Sequence, residues 1–254
     1  MGGAHPLAAG FAAAADAYER ARPTYARETI EWLADRTELR AGRVVVDLAA
    51  GTGKLTRALV ETGARVVAVE PIAEMREKLV EALPAVEALD GAAEAIPLAG
   101  ATADLVTVGQ AFHWFRAEEA LAEIARVLKT NGALALLWNN RDLDDPLHRA
   151  LEDLFRSYRA RTPLARELTW RDSLEGSPLF GPVEHHVTDN PHTLTRNGFR
   201  DRLASTSFVA AMDEGEREAL LARADALVPD SEPFPFPYVT EVFLTKRVPS
   251  NEGS

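Results

Sequence analysis

Val44-Val45-Val46-Asp47-Leu48-Ala49-Ala50-Gly51-Thr52-Gly53 decides the fold. The β-branched run Val44 to Val46 marks a buried strand. The small residues Ala49, Ala50, Gly51 and Gly53 then form a turn whose backbone a ligand can touch, because no large side chain blocks the approach. Lys54 to Glu61 has the pattern of a helix. A second strand, Arg65 to Val69, ends in an acid, Glu70. This unit of strand, small turn, helix, strand and acid is how parallel α/β sheets hold a nucleoside. The turn lies beneath the ligand and the acid accepts from two ribose hydroxyls.

The residues also discriminate between nucleosides. A dinucleotide turn follows G-x-G-x-x-G/A, and its third small residue lets the helix pack close beneath a pyrophosphate. Here that position is Thr56, which is branched. Asp47 lies just before the turn, where its charge disfavours a pyrophosphate and attracts a cation, directly or through water. S-adenosylmethionine (SAM) carries a ribose, an amino group and a sulfonium, and no phosphate. The turn therefore suits SAM better than NAD.

The order of motifs resembles the class I SAM-dependent methyltransferases. Val45 to Gly53 is similar to their first motif and Val67-Ala68-Val69-Glu70-Pro71 to their second. Gly91 to Leu98 resembles the adenine-side segment, and Asp104 to Phe115 the fourth strand with its following loop. Leu128 to Leu134 resembles the start of the fifth strand. The Gln110-Ala111-Phe112-His113-Trp114-Phe115 run, with Tyr18 and Arg22-Pro23-Thr24-Tyr25 upstream, is most similar to the small-molecule branch that includes trans-aconitate methyltransferase-like proteins.

The resemblance implies an α/β, Rossmann-like three-layer sandwich with a seven-stranded, mostly parallel sheet. Its last strand, Tyr238 to Arg247, inserts antiparallel between the fifth and sixth. Residues 1–10 and 249–254 read as disordered. Residues 11–248 read as one domain: N-terminal lid helices over 11–40, a SAM-binding core over 43–140, and a substrate lid with closing strands over 141–248. Strands are expected at Val44–Ala49, Arg65–Val69, Val86–Leu89, Asp104–Val108, Ala133–Trp138 and Val183–Thr188. Helices are expected at Phe11–Arg22, Tyr25–Arg36, Lys54–Glu61, Ala73–Ala82, Glu118–Leu128, Pro146–Arg161, Asn197–Thr206 and Glu214–Leu227. Pro229 to Pro237 reads as a rigid connector.

Composition bounds the partners. The balance of 28 Lys and Arg against 39 Asp and Glu gives a net charge of −11, which argues against a nucleic-acid substrate because phosphates need a basic footprint. The chain has no cysteine, hence no disulfide, thiolate nucleophile or cysteine metal site. No apolar run reaches the roughly 18 residues of a membrane span, and no signal peptide is evident. The expectation is a cytoplasmic monomer or homodimer acting on a small molecule, with no membrane and no metal.

For the cofactor, the resemblance places Asp47 near the methionine amino end. Ala49 stands where relatives more often carry glycine. Alanine favours negative φ, so an ordinary backbone is expected there and the close contact shifts to Gly51. Gly53 completes the turn. Glu70 is the ribose acid, followed by Pro71 and by Ile72, which faces either the adenine or the core. Ala92 replaces the Asp that many relatives use toward the adenine amine, leaving the Ala93 N–H as a donor to the ring. Glu94 reads as a helix-start residue. Gln110, directly after the fourth strand, meets the methionine part.

His113 has three readings: general base, orienting group for an acidic substrate, or a backbone partner. Trp114 and Tyr25 are the other acceptor-side residues, whereas Phe112 and Phe115 read as packing. The resemblance lays Tyr18 and Arg22 across the SAM site, with Arg22 meeting a carboxylate of SAM or of the substrate, or else standing on an exposed helix. His185, His186 and His192 follow no metal spacing. The reaction expected is methyl transfer to an oxygen, carboxylate or hydroxyl. The alternatives are a protein of this fold that binds SAM without transfer, regulator or lyase-like, and an NAD-dependent oxidoreductase.

Overall fold

A computed structural model of the protein describes residues 22–159 and 169–249. The first ten residues, the expected Phe11–Arg22 helix with Tyr18 apart from Arg22 itself, and most of the C-terminal tail lie outside these residues. Seven strands form one sheet in the order β3-β2-β1-β4-β5-β9-β6. They are β1 (Val44–Leu48), β2 (Arg65–Val69), β3 (Glu87–Leu89), β4 (Ala103–Gly109), β5 (Leu128–Arg141), β6 (Glu184–Asn190) and β9 (Tyr238–Lys246). β1 to β5 pair in parallel, and β9 runs antiparallel to both β5 and β6. The expected seven-stranded topology is therefore the observed one.

Strand alternation builds the layers. Val46, Leu48, Val67, Val69, Val106 and Val108 face a core shared with α4 (Ala117–Val127), whose Leu121, Ile124 and Val127 are buried. Val45, Val66, Leu105, Ala135 and Leu137 face the opposite side, against Leu33 of α1 (Arg27–Thr37) and Leu55 and Leu59 of α2 (Lys54–Val60). The period-two pattern thus places Asp47, next but one to Val45, on the α2 side. α3 (Ala73–Ala82) connects β2 to β3 and buries Met75 and Leu79.

A third core lies beyond the sheet. Phe155 of α5 (Pro146–Arg159), Phe199 and Leu203 of α7 (Arg196–Ala204), Phe208 of α8 (Ser207–Ala210) and Leu220 of α9 (Glu214–Asp225) pack around Phe234, Phe236 and Tyr238. The Pro229–Pro237 stretch is therefore more than the expected connector. Phe234 pairs with Leu194 in a two-stranded ribbon of β7 (Thr193–Leu194) and β8 (Phe234–Pro235), and both Phe234 and Phe236 are buried.

The remaining differences have local causes. β5 runs to Arg141 because β9 pairs with it throughout Ala133 to Arg141, well past the apolar stretch that marks it in sequence. A helix not expected from periodicity, α6 (Thr169–Glu175), buries Leu174 and sets Trp170 against Phe112, Trp138 and Phe243. Among the described residues no helix is long and apolar enough to cross a membrane.

Candidate active site

The carboxyl ends of β1 and β4 open onto a cleft. It gathers six of the residues singled out from sequence: Arg22, Tyr25, Asp47, Ala49, Gly51 and Gln110. Glu70, Pro71, Ile72, Ala92, Ala93, His113 and Trp114 are not in its lining, nor is Gly53.

The turn after β1 is built from left-handed backbone. Ala49 has φ +55°, Gly51 +58° and Gly53 +88°. The expectation of ordinary backbone at Ala49 is thus incorrect: the chain must reverse above the sheet within a few residues, and Ala49 takes the strained conformation that glycine holds freely. The two glycines differ in what surrounds them. A Cβ on Gly53 would lie 3.0 Å from Leu79 Cγ, so that glycine lets α3 pack close. A Cβ on Gly51 would meet only Met75 Sδ, at 4.0 Å, so protein packing does not explain its small size. The space beside Gly51 forms an open cradle.

Glu70 is held from two sides. Gly51 N–H donates to its Oε2 at 2.8 Å and Ile72 N–H to its Oε1 at 2.9 Å. The residue is 3% exposed, and burial pushes its carboxyl above the ordinary range, opposed by those two N–H groups and by Arg76. Each oxygen keeps a lone pair after one bond, so a fixed acceptor pair stands beside the turn. Ile72 acts through its backbone here.

Asp47 is the buried base of the cleft. Thr56 Oγ1 donates to its Oδ2 at 2.6 Å and Thr107 Oγ1 to its Oδ1 at 3.1 Å. Burial drives its pKa up to about 7 against these two hydroxyls. Thr56, read from sequence as an obstacle to a dinucleotide, is thus the partner that fixes Asp47.

On the β4 side Gln110 also has left-handed backbone, φ +60°, and its Nε2 donates to the Asn139 carbonyl at 3.0 Å. The Tyr25 ring lies against Gly109, where a Cβ would run into its hydroxyl. Sequence reasoning missed Asn139. Its Nδ2 donates to the Thr24 carbonyl at 3.2 Å, while its Oδ1 accepts from Thr240 at 2.6 Å and from Asn190 at 3.2 Å. Asn190 also donates to the Thr24 carbonyl at 2.8 Å. These polar residues from β5, β6 and β9 tie the Arg22–Tyr25 segment to the sheet edge. Polar side chains at the carboxyl ends of strands were the available signal. Arg22 crosses to the C-terminal segment, donating to the Ser205 carbonyl at 3.3 Å.

His113 sits in a short 3-10 turn, Phe112–Trp114, with its ring 4.6 Å from that of Trp114 and 5.3 Å from that of Trp138. Its Nδ1 is covered and makes no hydrogen bond. Burial, then the charge of Arg22, lowers its pKa to about 4, so the ring is neutral at pH 7. Phe112 is buried and meets Phe115 edge-on at 5.5 Å, as packing residues do.

Ala92 bridges Ala95, and Ala93 is buried against the α4 side of the sheet. Glu94 lies in a turn and not at a helix start. It accepts instead from the backbone N–H of Arg116, the residue that caps α4, because the turn folds back onto that helix. His185 stacks on Phe243 and His186 on Trp32. Among the described residues no cluster of His, Cys, Asp or Glu suits a metal ion.

A family model described as a methyltransferase domain matches residues 46–136, the span from β1 to β5. An uncharacterized methyltransferase of Mycobacterium tuberculosis is 39% identical over 245 residues, covering 91% of this chain and 92% of that protein. The chain belongs to the class I SAM-dependent methyltransferases. An uncharacterized methyltransferase-like protein of Schizosaccharomyces pombe is 32% identical to this methyltransferase over 240 residues, covering 92% of this chain and 93% of the other. A solved structure assigned provisionally as a type II methyltransferase, from Anaeromyxobacter dehalogenans, shares the methyltransferase fold. Its TM-score is 0.68 at 23% identity, over 89% of this chain and 97% of that one. The residues present fit the class's cofactor: a cradle beside Gly51, a fixed acceptor pair on Glu70 and an acid at the base of the cleft.

Proposed function

We propose that this methyltransferase transfers the methyl group of SAM to an oxygen, carboxylate or hydroxyl, of a small-molecule acceptor in the cytoplasm, as a monomer or homodimer. The observation that carries the reading is the arrangement at the β1 turn: open space beside Gly51, whose N–H donates to the buried Glu70 carboxyl, and the buried Asp47 at the base of a cleft. Beside the cleft, Glu70 and the Gly51 backbone would hold the ribose side. Asp47 would face the cationic end, and Arg22 a carboxylate. Pro71, Ile72, Ala92 and Ala93 would serve the adenine side. SAM supplies an electrophilic methyl on a cationic sulfur, whose departure as a neutral thioether needs no proton.

The chain's own task is then to orient the acceptor oxygen and keep out water. A carboxylate acceptor needs no base at pH 7. For a hydroxyl, His113, a neutral ring that feels the charge of Arg22, would be the base, with Trp114 walling the loop. The NAD reading is disfavoured by Asp47, whose bonded, buried carboxyl occupies the base of the cleft. A nucleic-acid acceptor is disfavoured by the net charge of −11. The test is methyl transfer from labelled SAM to panels of small acids, phenols and amines. An ester or ether product with release of S-adenosylhomocysteine supports the reading. Label found only on nitrogen or carbon, or only on macromolecules, overturns it.

A further inference from the structure

Two more cations line the same cleft, from different elements: Lys54 at the start of α2 and Arg202 on α7. Arg202 is half-buried and held entirely by neutral groups. Its Nε donates to the Tyr238 hydroxyl at 2.8 Å and its Nη1 to Thr206 Oγ1 at 3.3 Å. Among the described residues it forms no ion pair. The contrast on its own helix is sharp, since Arg200 pairs with Glu218 at 2.6 Å and also with Asp225. In a chain with 39 acidic residues against 28 basic ones, an arginine fixed in a cleft by hydroxyls is kept from protein carboxylates. A rigid, partly desolvated guanidinium of this kind is suited to an incoming oxyanion.

Lys54 and Arg202 line one cleft, and His192 senses the charge of both. After burial, the charges of Lys54 and Arg202 lower its pKa. Its Nε2 is covered and has no hydrogen-bond partner, and its ring meets that of Tyr238 at 6.0 Å. A local positive field inside an acidic protein concentrates anions at that spot.

We propose that Lys54 and Arg202 form an anion subsite that takes a non-reacting acid group of the acceptor, so that the acceptor is anionic and its acid bridges α7 to α2. The proposal rests on reading the cleft as the methyl-transfer site. It adds the acceptor's charge and names Arg202 as the specificity-determining residue. Arg202 lies outside the motifs by which the chain is recognised, which is why the sequence alone did not mark it.

The test uses inorganic sulfate as the probe, titrated into the full-length protein with and without S-adenosylhomocysteine and followed by the arginine Nε–H resonances. Saturable binding is expected. Arg202→Gln should weaken it about 10- to 100-fold, the range for losing charged hydrogen bonds. Lys54→Gln should weaken it less, Arg202→Lys should keep most of it, and Arg200→Gln should leave it unchanged. Absence of saturable binding in the wild type, or equal affinity in Arg202→Gln, overturns the proposal. If Arg202→Gln does not fold, Lys54→Gln decides, and equal affinity there overturns the proposal. Sulfate binding that needs Arg202 in a protein that ignores S-adenosylhomocysteine would leave the subsite standing and remove the cofactor reading. The reverse pattern would remove the subsite alone.

Discussion

Thr56 donates its hydroxyl to Asp47 across 2.6 Å at the buried base of the cleft. The pair joins the first turn of α2 to the end of β1, and Thr107 on β4 closes the arrangement from the other oxygen. A carboxyl so enclosed is poised near neutrality, and that has a consequence for stability.

Its pKa is raised from an ordinary 3.8 to about 7. A group raised on folding stabilises fully below its unfolded pKa and loses that contribution as pH rises through the folded one. The unliganded protein should therefore lose stability between pH 4 and pH 8 through Asp47. Asp47→Asn, which keeps the size and one acceptor, should be the more stable protein at pH 8, by about 1–3 kcal/mol. The two should converge near pH 4. Denaturant unfolding at the two pH values measures this, and an Asn variant equally stable at both would contradict it.

The two turn glycines should separate under substitution. Gly51→Val should fold, at a cost of about 1–2 kcal/mol for a branched residue with positive φ, and should lose S-adenosylhomocysteine binding because the cradle is filled. Gly53→Val should be markedly less stable, since its side chain strikes Leu79. Thermal melts and calorimetry on both variants check the contrast. Normal binding by Gly51→Val would make the turn purely structural.

For His113 the structure changes the pH expectation. An ordinary imidazole acting as base would lose rate below about pH 6.5. With its pKa lowered to about 4, His113 stays neutral across that range. If the acceptor is a hydroxyl, kcat at saturating SAM should hold from pH 8 down to about pH 5 and fall below it. His113→Ala should then lower kcat by about 10²–10⁴-fold with cofactor affinity little changed. If the acceptor is a carboxylate, His113→Ala should mainly raise KM, and Arg22→Ala should do the same. Unchanged kcat and KM in both variants would remove both residues from the acceptor site.

The sheet was legible because its signals are local. Hydrophobic strands such as Val44–Leu48 and Arg65–Val69 carry their own period, and Lys54–Val60 and Ala73–Ala82 begin at turn residues. The turn after β1 and the acid after β2 were legible for the same reason, since each follows directly on its own strand. What escaped depends on contacts distant in sequence. Asn139, Asn190 and Thr240 meet only because β9 inserts between β5 and β6. Arg202 reaches the cleft only because Phe199, Phe234 and Phe236 fold the C-terminal segment into its own core. The strain at Ala49 was misread because the residue type, taken alone, favours negative φ.

Calorimetric titration of S-adenosylhomocysteine into the wild type and Glu70→Ala is the most direct measurement of whether the β1–α2 turn and Glu70 hold the cofactor. The wild type should bind in the micromolar range, about −8 kcal/mol. Glu70→Ala, verified as folded by circular dichroism, should bind more weakly by about 1.5–3 kcal/mol, the loss of a charged acceptor to two hydroxyls. A folded wild type that gives no binding heat, or a variant that binds as tightly as the wild type, would contradict the assignment.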